Sequence, residues 1–131
     1  MNDLSDKRSV EIANQNFYDA FSSKDIKQMN LLWWQGETSL CVHPGSDVLM
    51  GWEIIKASWE SIFKNTDSLE IDIEVIKIEV DSSLAHVVVR ETVLQSSRGR
   101  SLKAQSLATN IFQKMAQKWY LVCHHGSPIA R

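Results

Sequence analysis

The segment LEIDIEVIKIEV, residues 69 to 80, alternates apolar and charged side chains almost without interruption. Successive side chains of an extended strand point to opposite faces, so this period of two describes a strand with one face buried and one face wet. A helix of the same sequence would scatter its apolar residues around every side. Three further runs follow: LAHVVVRETVLQ (84–95), LKAQSLATNIFQK (102–114) and KWYLVCHH (118–125). Their connections, DSS, SSRGRS and MAQ, have hairpin length. The second half of the chain is therefore expected to be a four-stranded antiparallel meander.

The first half follows a different period. Val10, Ala13, Phe17, Ala20 and Phe21 recur at helical spacing, which predicts an amphipathic helix over about 5–22. Ser22-Ser23 is placed to end it and to cap the next one, a short helix carrying Ile26, Met29 and Leu32. TSLCVH (38–43) reads as a short strand and HPGSDVLMG as a turn-rich loop. From Trp52 to Phe63 the residues Ile55, Trp59, Ile62 and Phe63 restore the helical period, and NTDS breaks it. Helices segregated ahead of an antiparallel meander predict an α+β fold, three helices on one face of a curved sheet, in one domain over 1–131.

A net charge of -2 supplies no basic field, so no nucleic-acid partner is expected. No apolar run approaches the roughly 20 residues of a membrane span, and MNDLSDKRSVE has no signal-like apolar stretch. Cys41 and Cys123 read as reduced core thiols of a cytoplasmic protein. No cofactor is expected. Five tryptophans in 131 residues point to a large aromatic core or a tryptophan-lined cavity.

Three phrases resemble the nuclear transport factor 2-like (cystatin-like) superfamily, the cone-shaped fold of SnoaL-like cyclases and ketosteroid isomerase. FYDAFSSKDIKQMNLLW resembles its first two helices, with the common acid at Asp25. CVHPG and LMGWEIIKASWESIF resemble its strand, loop and third helix, and NIFQKMAQKWYLVCHHGSP its last hairpin. The closing residues are also similar to the association domain of calcium/calmodulin-dependent kinase. The resemblance implies one cavity between helices and sheet, and a fold that serves enzymes, binders and assembly modules alike.

Within that frame His43 stands where the isomerase has its general base, before a proline. The backbone supports the placement: a residue before proline is held extended, and His43 shares a strand face with Ser39 and Cys41. Phe17 matches the isomerase's pocket tyrosine but has no hydroxyl, and Asn110 lies near its protonated aspartate. The expected cavity residues are Phe17, Trp34, His43, Met50, Trp52, Trp59, Glu91, Asn110 and His125, with His43 as the catalytic base. Trp33 and Trp34 are adjacent, so at most one can point fully inward. In strand parity Glu91 goes with Val87 and Val89, and Arg90 with Val88 and Thr92. Cross-strand ion pairs, Glu91 to Lys103 or Arg90 to Asp72, are the alternative for these two charges. His124 and His125 point to opposite faces and cannot chelate one ion together; His125 shares parity with Trp119, Leu121 and Cys123. No metal site is expected.

The last strand carries apolar residues on both faces, which predicts a homodimer through the outer sheet face. The residues favour a pocket for a small apolar or aromatic ligand. An alternative is a proton-transfer enzyme, an isomerase, cyclase or dehydratase, with His43 as base; a second is a dimeric assembly module with a vestigial pocket. A smooth apolar cavity selects the first, converging polar groups the second, and a filled core the third.

Overall fold

The computed structural model describes residues 3–130; Met1, Asn2 and Arg131, which the expected domain includes, lie outside the described residues. Helix α1 runs over Asp3–Ser22 and buries Val10, Ala13, Phe17 and Ala20 along one stripe, together with the polar Asn14 and Tyr18. It does not hand over to α2 (Ile26–Leu32) through a serine cap. Ser22 and Ser23 both bond back to the Asp19 carbonyl, Lys24 takes a positive φ of 55°, and Asp25 is the N-cap, accepting from the Gln28 amide at 3.1 Å. Strand β1 (Leu40–Val42) follows, and the expected loop contains a second short strand, β2 (Leu49–Met50), paired antiparallel to β1. Gly51, with a φ of 89°, opens α3 (Trp52–Lys64).

The meander comprises β3 (Ser68–Asp81), β4 (Leu84–Ser97), β5 (Arg100–Met115) and β6 (Lys118–Pro128). Two hairpins turn through residue pairs with positive φ, Arg98-Gly99 and Ala116-Gln117, whose twist matches that of the flanking strands. The six strands are ordered β2-β1-β6-β5-β4-β3. All pairings are antiparallel except β1 on β6, where Cys41 lies opposite His124, so the expected antiparallel sheet is a mixed one.

Two bulges break the alternation. Ile76 is the extra residue of β3, between the Val75 and Lys77 pairings. Val122 is the extra residue of β6, because Ile111 faces Cys123 while Phe112 faces Leu121. A bulge moves every later side chain to the other face. Trp119 and Leu121 therefore point into the core, and so does His124 rather than His125.

The core gathers between the helices and the inner sheet face. Phe17 is its centre, edge-on to Trp33 at 6.2 Å and to Trp59 at 5.7 Å between ring centroids. Each such ring contributes about 1.5–3 kcal/mol through burial. No described helix is long and apolar enough to cross a membrane.

Candidate functional site

A cavity of about 300 Å³ opens between the α1 and α3 side of the fold and the inner faces of β4 and β5. Phe21, Ile62, Leu69 and Val93 form its apolar walls, and the exposed Leu102, Ala104 and Pro128 lie toward solvent. Glu91, Ser106, His43 and His124 supply polar lining. A slightly larger groove between α2 and α3, lined by Ile26, Lys27, Asn30, Leu31 and Lys56, is shallow and gathers no opposed acid and base, so the chemistry belongs to the cavity.

Glu91 is 2% exposed. Arg90 turns to the outer face and pairs with Glu74 rather than Asp72, and among the described residues no lysine pairs with Glu91. Instead Glu91 accepts two hydroxyl hydrogens, from Tyr18 at 2.6 Å and from Ser106 at 2.7 Å. Burial pushes its carboxyl above the usual range, opposed by these two bonds. Burial, and then the Glu91 charge, push the Tyr18 phenol upward, so it remains a donor.

Pro44 holds the His43 backbone extended and packs on Gly126, where an added Cβ would meet Pro44 Cγ at 2.9 Å. The His43 ring stands edge-on to Trp59 at 4.8 Å, and its Nε2 lies 3.0 Å from Ser58 Oγ on α3. Burial, followed by the nearby His124, lowers its pKa from 6.5 to about 4. His124, 1% exposed, is lowered to about 3, again chiefly by burial. Both rings are neutral at pH 7. His124 Nε2 and Glu91 Oε2 are 4.0 Å apart, a contact between a neutral ring and a carboxyl rather than an ion pair. Asn110 Oδ1 meets His124 Nδ1 at 2.6 Å. Cys41, buried beside the His43 ring, has its thiol pushed up by burial and stays protonated. Among the described residues no three His, Cys, Asp or Glu side chains stand together as a metal site.

Of the expected residues, His43 and Glu91 line the cavity. Phe17, Trp59 and Asn110 stand one layer behind it: Phe17 packs on His124 at 5.0 Å, Trp59 on His43, and Asn110 bonds His124. Among the described residues no tryptophan lines this cavity. Four expectations are corrected. Trp34 is 37% exposed and packs edge-on against Tyr120 on the outer side, because its neighbour Trp33 takes the inward position. Met50, 57% exposed, is the end of an edge strand. Trp52 is buried, but it stacks on Trp33 and bonds Asn30, away from the cavity. His125 is exposed because the Val122 bulge gives the inner face to His124.

Sequence reasoning passed over Tyr18, Asn14, Ser58 and Ser106, and it weighed His124 beside His125 but placed His125 in the cavity. Asn14 and Tyr18 did leave a signal: two polar residues four apart, beside the Val10–Phe17 stripe, mark a polar pair facing the core.

The profile of the SnoaL-like domain matches residues 10–131. A candidate dehydratase of the nuclear transport factor 2-like family from Streptomyces avermitilis is 27% identical, with a TM-score of 0.91 over 97% of this chain and 99% of that one. A candidate calcium/calmodulin-dependent protein kinase type II association domain from Thiobacillus denitrificans is 25% identical, with a TM-score of 0.82 over 92% and 94% of the two chains. The F-box protein SKIP8 of Arabidopsis thaliana is 21% identical over 120 residues, which are 92% of this chain and 49% of that protein, so the chain spans about half the length of this curated relative. With its α+β architecture and a profile match over most of its length, the chain belongs to the SnoaL-like domain family of the nuclear transport factor 2-like superfamily.

Proposed function

We propose that the chain is an acid–base enzyme of the lyase or isomerase type, acting on a small, mostly apolar carbonyl compound. One observation carries this reading: neutral His43 and His124 and the buried Glu91 line the same otherwise largely apolar cavity. That arrangement favours an enzyme over the simple binder that the residues alone suggested, and an open cavity counts against a vestigial module.

Neutral His43 takes the proton from a carbon next to the carbonyl, and the C–H electron pair moves into the carbonyl as an enolate. In a dehydration, Glu91, which burial keeps protonated to higher pH, gives its proton to the hydroxyl on the next carbon. That hydroxyl leaves as water with the C–O electron pair, and the enolate pair closes the double bond. Return of the proton from His43 to Glu91 restores the site. The similarity to a candidate dehydratase supports this reaction class. The reaction calls for no cofactor. A cytoplasmic setting is part of the proposal and rests on the two unpaired cysteines.

The test is a panel of cyclic ketones and β-hydroxy ketones in D₂O, followed by loss of the α-proton signal and by enone absorbance. Enzyme-dependent exchange or dehydration is expected, falling by about 100-fold or more in His43→Gln and Glu91→Gln. Tight binding of apolar ketones with no exchange returns the protein to the binder reading.

A further inference from the structure

The hydrogen bonds around the two pocket histidines leave little freedom in where the ring protons sit. Ser58 Oγ lies 2.7 Å from the Ile55 carbonyl and 3.0 Å from His43 Nε2. A hydroxyl has one hydrogen, and a carbonyl oxygen can only accept. The Ser58 hydrogen therefore goes to Ile55, and His43 Nε2 must donate to Ser58. His43 is then the Nε2–H tautomer, with its lone pair on Nδ1.

A longer chain governs His124. Tyr18 gives its one hydrogen to Glu91 Oε2, so the phenol oxygen receives from Asn110 Nδ2 at 3.1 Å. The second Nδ2 hydrogen goes to Asn14 Oδ1 at 2.9 Å. The other end of the amide, Oδ1, therefore faces His124 and accepts from Nδ1–H. That leaves the His124 lone pair on Nε2, on the side of Glu91. The hydrogen-bond partner of one ring nitrogen decides which nitrogen carries the proton.

We propose that Ser58 and Asn110 are positioning residues that hold the two pocket histidines in opposite tautomers, leaving His43 Nδ1 and His124 Nε2 as the basic atoms of the site. Its catalytic meaning rests on the acid–base reading above, but the tautomers exist without any substrate. Asn110 holds its orientation because the Tyr18 hydrogen is committed to Glu91, so the phenol oxygen can only accept, and it accepts from the Asn110 amide nitrogen. His43 owes its orientation to a hydroxyl already committed within α3.

Long-range ¹H–¹⁵N correlation of the histidine rings at pH 7 tests the proposal on the free protein. The expected spectrum has a pyrrole-like Nε2 and pyridine-like Nδ1 for His43, and the reverse for His124. In Asn110→Ala the His124 signals should shift toward the Nε2–H pattern while those of His43 stay. In Ser58→Ala the two His43 nitrogens should move toward averaged values, and Ser58→Thr, which keeps the hydroxyl, should restore them. The same tautomer in both wild-type rings overturns the proposal even if every variant fails to fold, and so does an Asn110→Ala protein that folds with His124 unchanged. Opposite tautomers in a protein that exchanges no ketone proton would uphold this inference while removing the acid–base function.

Discussion

Removing one oxygen, in Tyr18→Phe, probes the site's network most sharply. Tyr18 is 2% exposed; its hydroxyl donates to Glu91 at 2.6 Å and accepts from Asn110 at 3.1 Å. The phenyl ring retains the edge-on contact with Phe17 at 4.8 Å, so the packing loss is small. A hydrogen bond to an ionised group stabilises by about 1.5–3 kcal/mol, and one between neutral groups by about 0.5–1.5 kcal/mol. Asn110 keeps Asn14 as a partner for its amide, which limits the secondary cost. The Tyr18 bond also holds the Glu91 pKa down against burial, so its loss raises that pKa further. The destabilisation should therefore grow with pH, from about 1 kcal/mol where Glu91 is protonated to about 2–3 kcal/mol where it is ionised. Urea unfolding at pH 5.5 and pH 8.5 reads the direction of this trend. With a urea slope of about 1–3 kcal/mol/M, the midpoint should drop by roughly 1 M or more at the higher pH, with the slope unchanged. A loss below about 0.5 kcal/mol at pH 8.5, or a larger loss at pH 5.5, would refute the bonding scheme.

Three further outcomes are expected. Gly126→Ala places a methyl 2.9 Å from Pro44 Cγ, so the turn that fixes His43 must shift; a loss of about 1–3 kcal/mol in a denaturant titration is expected, and a neutral result would mean that Pro44 is loosely held. The fold should be acid-labile: His43 and His124 have folded pKa values below 6.5, so the unfolded chain takes up protons first. Their contribution is complete above pH 6.5 and is lost as pH falls toward 4, by up to about 3 kcal/mol for His43; an unfolding midpoint that stays level across this window would contradict it. The outer sheet face, with Leu94 and Leu107 exposed beside the half-buried Val88, Tyr120 and Val122, is proposed to pair with a second copy, and sedimentation should give twice the 14.9 kDa chain mass, not a monomer.

The architecture was legible because its periods are strong. The alternation in LEIDIEVIKIEV and its three successors specifies strands, and Ile55, Trp59 and Ile62 specify α3. Glu91 could be assigned to the inner face because the β4 register around it is unbroken. His125 was misassigned for the opposite reason. The extra residue Val122 exists only in relation to the pairing of β6 with β5, and nothing local in KWYLVCHH marks it. Strand β2 and Met50 depend likewise on pairing with β1, which a two-residue element does not announce. Trp33 and Trp34 could be recognised as exclusive alternatives, but the choice between them follows from the extended backbone of Trp33 and the bond from the Trp34 amide to the Leu121 carbonyl. The Glu91–Tyr18–Asn110–His124 chain joins β4, α1, β5 and β6, so it becomes visible only once those elements meet.

The central claim is that the cavity holds His43 as a neutral base, and a pH titration of its ring protons by NMR tests this without a substrate. Burial in front of Trp59 and beside neutral His124 should place the midpoint at about 4, leaving the ring unprotonated throughout the physiological range. A midpoint at or above the ordinary value of roughly 6.5 would mean that Glu91 holds His43 as a charged partner, and the neutral-base mechanism would then be wrong.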